Sequence, residues 1–127
     1  MSERTRLVRA PDRRRETMQT PGMAREEAVR TDTMWAGVAR TAGHTFSGWH
    51  HHGGHESIVH VLRGRVRLEY GPGGRTALDA APGETLYVAP GEIHREGNPD
   101  AAESEILVVR AGSGEIVVNV DGPLPER

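Results

Sequence analysis

The chain contains no cysteine, which excludes a disulfide framework, thiol catalysis and thiolate-ligated zinc. It contains no lysine either. All 16 basic residues are arginine, so no side-chain amine is available for Schiff-base chemistry. Aromatic residues are scarce, with two Trp, two Tyr and one Phe, and several of them are needed for the core. A formal charge of −2 argues against a nucleic-acid or membrane-surface protein built on bulk charge. No apolar run approaches the roughly 18 residues of a membrane-crossing helix. The start, Met1-Ser2-Glu3-Arg4, has no apolar signal segment, so a cytoplasmic protein is the simplest expectation.

At 127 residues, one domain is expected. Residues 1–22 are polar and Arg-rich, with the densest run at Arg13-Arg14-Arg15. Such a segment buries too little apolar surface to offset its ordering entropy, which predicts a flexible arm followed by one domain over 23–127. A helical turn and an extended lead-in fit Ala24–Val29 equally well. Beyond it, short apolar segments alternate with Gly/Pro/Asp punctuation such as Gly71-Pro72-Gly73-Gly74, Ala81-Pro82-Gly83 and Pro90-Gly91. Short strands with a turn signal every dozen residues predict an all-β fold, a small antiparallel barrel or jelly roll. In Arg65–Tyr70 the alternation turns Val66, Leu68 and Tyr70 inward. The Gly-rich run at 71–74 lacks a following Lys and helix, so it is a hairpin turn and not a phosphate loop.

Six of the seven histidines lie between His44 and His60. His50 and His52 are two apart, so on a strand both imidazoles project from one face, about 7 Å apart along the backbone, while His51 points away. Gly53-Gly54 then turns the chain, and Glu56 offers a hard oxygen donor nearby. Taken alone, this window fits equally a His-rich loop whose imidazoles bond backbone carbonyls. A second window, Gly83 to Asn98, reads as a strand, a Pro-Gly turn, and then His94 opening the next strand.

Together the two windows resemble the cupin family. Gly43 or Gly48, His50, His52, Glu56 and Gly64 approximate its first motif, and Gly83, Gly91, His94 and Asn98 match its second in register. The likeness covers about residues 34–120. There are two departures. Ser57 stands where the family usually has its glutamate, leaving Glu56 one residue early, with His55 as the rival fourth ligand. Ala89 replaces the first proline of the second motif. The resemblance implies a small barrel, commonly dimeric, with one divalent transition metal (Fe, Mn, Ni, Cu or Zn) held by His50, His52, Glu56 and His94.

Such a centre suits a small-molecule substrate, with no nucleic-acid or membrane partner. It implies an oxidoreductase of the dioxygenase type. The alternatives are a Lewis-acid isomerase, lyase or decarboxylase, and a non-catalytic small-molecule sensor. Glu96, two residues past His94, is expected in solvent, with acceptance of a ligating imidazole N–H or a proton-shuttle role as the alternatives. His51 and His60 are expected off the metal. Core positions are expected for Phe46, Trp49, Met34 and Tyr87. Arg40 and Arg110 could pair an anionic substrate but are expected at the surface.

Overall fold

The computed structural model describes residues 4–16, 20–114 and 116–126. Two antiparallel sheets make up almost all of it. The larger sheet runs in the order β1 (Arg14–Arg15), β2 (Met23–Arg30), β3 (Met34–Thr41), β10 (Ser104–Ala111), β5 (Glu56–Arg63) and β8 (Thr85–Val88). The smaller runs β11 (Val118–Asn119), β4 (His50–His51), β9 (His94–Gly97), β6 (Val66–Tyr70) and β7 (Thr76–Ala80). The only helix among the described residues is a single 3-10 turn at Ala10–Asp12, so none is long and apolar enough to cross a membrane.

Alternation along the strands builds the core. Ser57, Val59 and Val61 of β5 are buried, while Glu56, Ile58 and Leu62 face solvent. In β10, Ile106, Val108 and Arg110 turn inward and Leu107 outward. Val66 and Leu68 join the same cluster and Tyr70 packs against it, as the alternation of Arg65–Tyr70 requires.

The structure departs from some expectations and decides between others, each for a local reason. The arm is ordered where Arg14 and Arg15 pair with Glu27 and Glu26 as an edge strand, because β2 offers an open edge and acidic side chains. Glu16 then accepts a hydrogen bond from Trp35 Nε1. The parts of the arm at 1–3 and 17–19 lie outside the described residues. Ala24–Val29 takes the extended option inside β2. Met34 and Tyr87, expected in the core, are exposed because they fall on the outer face of the larger sheet. Trp35, one residue from Met34, is the buried aromatic. Phe46 and Trp49 are half-buried, with the Arg95 guanidinium over both rings.

Two turns hold the histidine-bearing segments together. Gly91, with φ of 72°, donates its N–H to the Gly53 carbonyl at 2.9 Å and so joins the two turns that flank the histidines. Gly97 ends β9 where the chain before β4 crosses it. A Cβ there would lie 2.3 Å from the Thr45 carbonyl oxygen and 2.5 Å from the Phe46 ring. Backbone cannot give way as a flexible side chain can. Gly97→Ala should therefore lower stability by roughly 1–3 kcal/mol, read as a lower urea midpoint; an unchanged midpoint would refute this close-packing account.

Candidate metal centre

His50 and His94 are directly opposed on β4 and β9, and His52 follows one residue beyond β4. The alternation predicted for His50-His51-His52 holds. His50 and His52 are buried, whereas the His51 ring turns away and its Nδ1 accepts the Gly53 N–H at 3.0 Å. The three buried rings meet with centroids 4.4 to 5.0 Å apart.

Backbone carbonyls decide which ring nitrogens face inward. Each Nδ1–H donates to a main-chain oxygen: His50 to Gly48 at 2.9 Å, His52 to Ile116 at 2.6 Å, His94 to Glu92 at 2.8 Å. Fixing the proton on Nδ1 leaves the Nε2 lone pair on every ring free to ligate. His94 is fully buried and its Nε2 has no hydrogen-bond partner. Such an atom in a protein interior calls for a ligand.

The carboxylate that completes the group is Glu96. It sits two residues after His94 on β9, hence on the same face, and its Oε1 lies 3.9 Å from His50 Nε2. One donor atom from each of His50, His52, His94 and Glu96 falls within 4.8 Å of the others. Bonds of about 2.0–2.2 Å to a central ion put donors roughly 3–4.4 Å apart, so a small inward movement closes the set. Three imidazoles and one carboxylate fit a divalent first-row metal.

The structure corrects the expected fourth ligand. Glu56 opens β5 on its outward face and accepts a hydrogen bond from Tyr87 Oη at 2.9 Å. Strand parity turns Ser57 inward in its place. The rival, His55, is buried, but its Nδ1 bonds the His52 carbonyl and it stands outside the group. Glu96, expected in solvent, is instead the carboxylate that lies within the imidazole group. His60 lies away from the centre, against Thr85 Oγ1 at 2.8 Å. Asn98 is buried and holds the loop after β9, donating to the Thr41 and Ala102 carbonyls and accepting the Asp100 N–H. Arg40 is engaged by Glu26 and Glu105, whereas Arg110, expected at the surface, is buried because its position on β10 is an inward one.

Burial disfavours the charged forms of His50 and His52. It lowers His50, and together with the nearby Arg110 charge it takes His52 down to about 3. Burial alone would raise the Glu96 carboxyl, but His94, His50, Arg110 and His52 outweigh it and hold it below the usual carboxylate range. These shifts favour the ligating forms of His50, His52 and Glu96 at neutral pH.

A family model described as a cupin domain matches residues 38–110. This chain belongs to the cupin family. The double-stranded β-barrel is shared with solved cupin structures. The polyketide cyclase RemF from Streptomyces resistomycificus is 21% identical, with 93% of this chain and 87% of that one covered and a TM-score of 0.76. KdgF from Halomonas sp. is 15% identical, with coverage of 86% and 96% and a TM-score of 0.72. An oxalate oxidase is 21% identical, with coverage of 84% and 63% and a TM-score of 0.64. At these identities the likeness concerns the fold. No curated protein matches the chain.

Two predictions follow from this cupin's centre. His50→Ala, His52→Ala, His94→Ala and Glu96→Ala should each lower bound metal at least tenfold under limiting metal, whereas His51→Ala and Glu56→Ala should retain it. Elemental analysis after gel filtration checks this, and metal loss confined to Glu56→Ala would restore the original ligand choice. The second concerns acid. A histidine whose folded pKa lies below its unfolded value near 6.5 leaves the unfolded chain holding more protons between the two values. The metal-free protein should thus be most stable above about pH 6.5 and lose stability steadily towards pH 3, as melting temperature will show; a flat profile over that range would contradict it.

Proposed function

We propose that this cupin is a mononuclear metal-dependent enzyme acting on a small organic molecule, an oxidoreductase of the dioxygenase type. The observation that carries the reading is the fixed, inward-facing set of three Nε2 atoms with one carboxylate. Four protein donors leave two positions on a six-coordinate ion. When bound, such an ion supplies Lewis acidity and, for redox-active metals, electron transfer towards dioxygen. The chain's own part is to hold the donors in register, disfavour protonation of His50 and His52, and exclude water with the barrel wall.

A second reading, Lewis-acid catalysis without oxygen, is favoured by the buried Arg110 cation, whose charge acts on His50, His52 and Glu96. A fixed cation there would stabilise an enolate or carboxylate oxygen. The fold houses both a polyketide cyclase and an oxalate oxidase, so fold alone does not choose between the readings.

Anaerobic loading with Fe(II), followed by oxygen-uptake measurements with catechols, thiols and hydroxy acids, separates them. The dioxygenase reading expects substrate-dependent uptake that His94→Ala abolishes. Stoichiometric zinc in protein isolated without added metal, with no uptake after iron loading, would replace it with the Lewis-acid reading. The homodimer implied by the family is part of the same proposal. Ile58, Leu62, Tyr87 and Leu107 leave the outer face of the larger sheet apolar and exposed, and sedimentation should show two copies covering it.

A further inference from the structure

Four buried side-chain polar atoms among the described residues lack a hydrogen-bond partner: His94 Nε2, Ser57 Oγ, and Nε and Nη1 of Arg110. The metal reading accounts for the first. The other three belong to residues directly opposed across β5 and β10, both facing the barrel interior. Arg110 is 4% exposed and Ser57 2%. The arginine's Cζ lies 5.5 Å from the centroid of the Trp35 ring, which covers its face but offers no acceptor.

The nearby carboxylates are committed elsewhere. Glu16 and Glu27 both accept from Trp35 Nε1, and Glu96 belongs to the imidazole group. Arg25 adds a like charge, and although the charges of Glu96 and Glu16 favour the guanidinium, neither carboxylate bonds its Nε or Nη1. Burial, with Arg25, draws the guanidinium down to about 10, which still leaves it charged at neutral pH. A buried cation with unused donors is costly to the folded protein unless an anion completes it. A guanidinium fork matches the two oxygens of a carboxylate, and a serine hydroxyl beside it adds a third donor.

We propose that Arg110 and Ser57 form an anion subsite beside the His50/His52/His94/Glu96 group, which takes the carboxylate of a small organic acid whose second oxygen donor meets the centre. The subsite rests on the metal-enzyme reading for its role but not for its existence. It narrows the substrate class from any small organic molecule to acids bearing a hydroxyl or keto oxygen beside the carboxylate. Arg110 is thereby a specificity-determining residue, positioned by strand parity and the Trp35 ring.

The test compares glycolate with ethylene glycol, which offers two oxygens but no negative charge. Calorimetric titration of Co(II)-loaded protein should show glycolate binding at least tenfold tighter than ethylene glycol. Arg110→Gln should weaken glycolate at least tenfold, and Ser57→Ala severalfold, with cobalt content unchanged and ethylene glycol unaffected. Arg110→Lys, which keeps the charge without the fork, should recover part of the loss and guards against misfolding of the glutamine variant. A parallel titration of metal-free protein with formate should show weak binding that Arg110→Gln removes. Equal glycolate affinity in wild type and both Arg110 variants would overturn the proposal. Failure of the wild type to hold cobalt would sink the metal-enzyme reading, and the formate titration would then decide the subsite alone: binding lost in Arg110→Gln upholds it, and no binding overturns it.

Discussion

The candidate metal centre of this cupin depends on three hydrogen bonds whose acceptors all belong to the main chain. Each runs from a histidine Nδ1–H to a backbone carbonyl: those of Gly48, Ile116 and Glu92. Without them each imidazole could rotate or exchange tautomers, and the lone pairs would not converge. Two of the acceptors, Gly48 and Glu92, stand two residues before the histidine they hold, so the local turn sets the ring. The third, Ile116, comes from 64 residues away and ties the chain near its end to the centre.

The barrel supplies what those bonds require. β4 and β9 are neighbours in the smaller sheet, which brings histidines 44 positions apart in the chain face to face (94 − 50 = 44). The Gly91 to Gly53 bond locks the turns at that end. The opposing sheet contributes Ser57 and Arg110 from adjacent strands. Donor set and cation thus come from opposite walls of one interior, which is how a short chain surrounds a small ligand on two sides.

Much of this was legible in the sequence, and the reason is periodicity. Short strands between Gly and Pro turns indicated the barrel, the two-residue spacing of His50 and His52 put them on one face, and the Pro-Gly turn before His94 delivered the third ring. The same rule, applied one strand further, finds the carboxylate: Glu96 shares the face of His94. Glu56 is near the histidines in sequence across the Gly53-Gly54 turn, but strand parity turns Ser57 inward and Glu56 out. Charged residues are seldom buried, yet the inward phase that Ile106 and Val108 set on their strand carries Arg110 into the interior. The pairing of Arg14 and Arg15 with β2 was not legible, since it depends on an open sheet edge that exists only in the folded barrel.

Anomalous diffraction at the metal absorption edge, on crystals of the loaded protein, addresses the central claim most directly. The account predicts one ion about 2.0–2.2 Å from Nε2 of His50, His52 and His94, with a Glu96 oxygen alongside and every Nδ1 still bonded to its carbonyl. An ion ligated through any Nδ1, or seated away from His94, would contradict it.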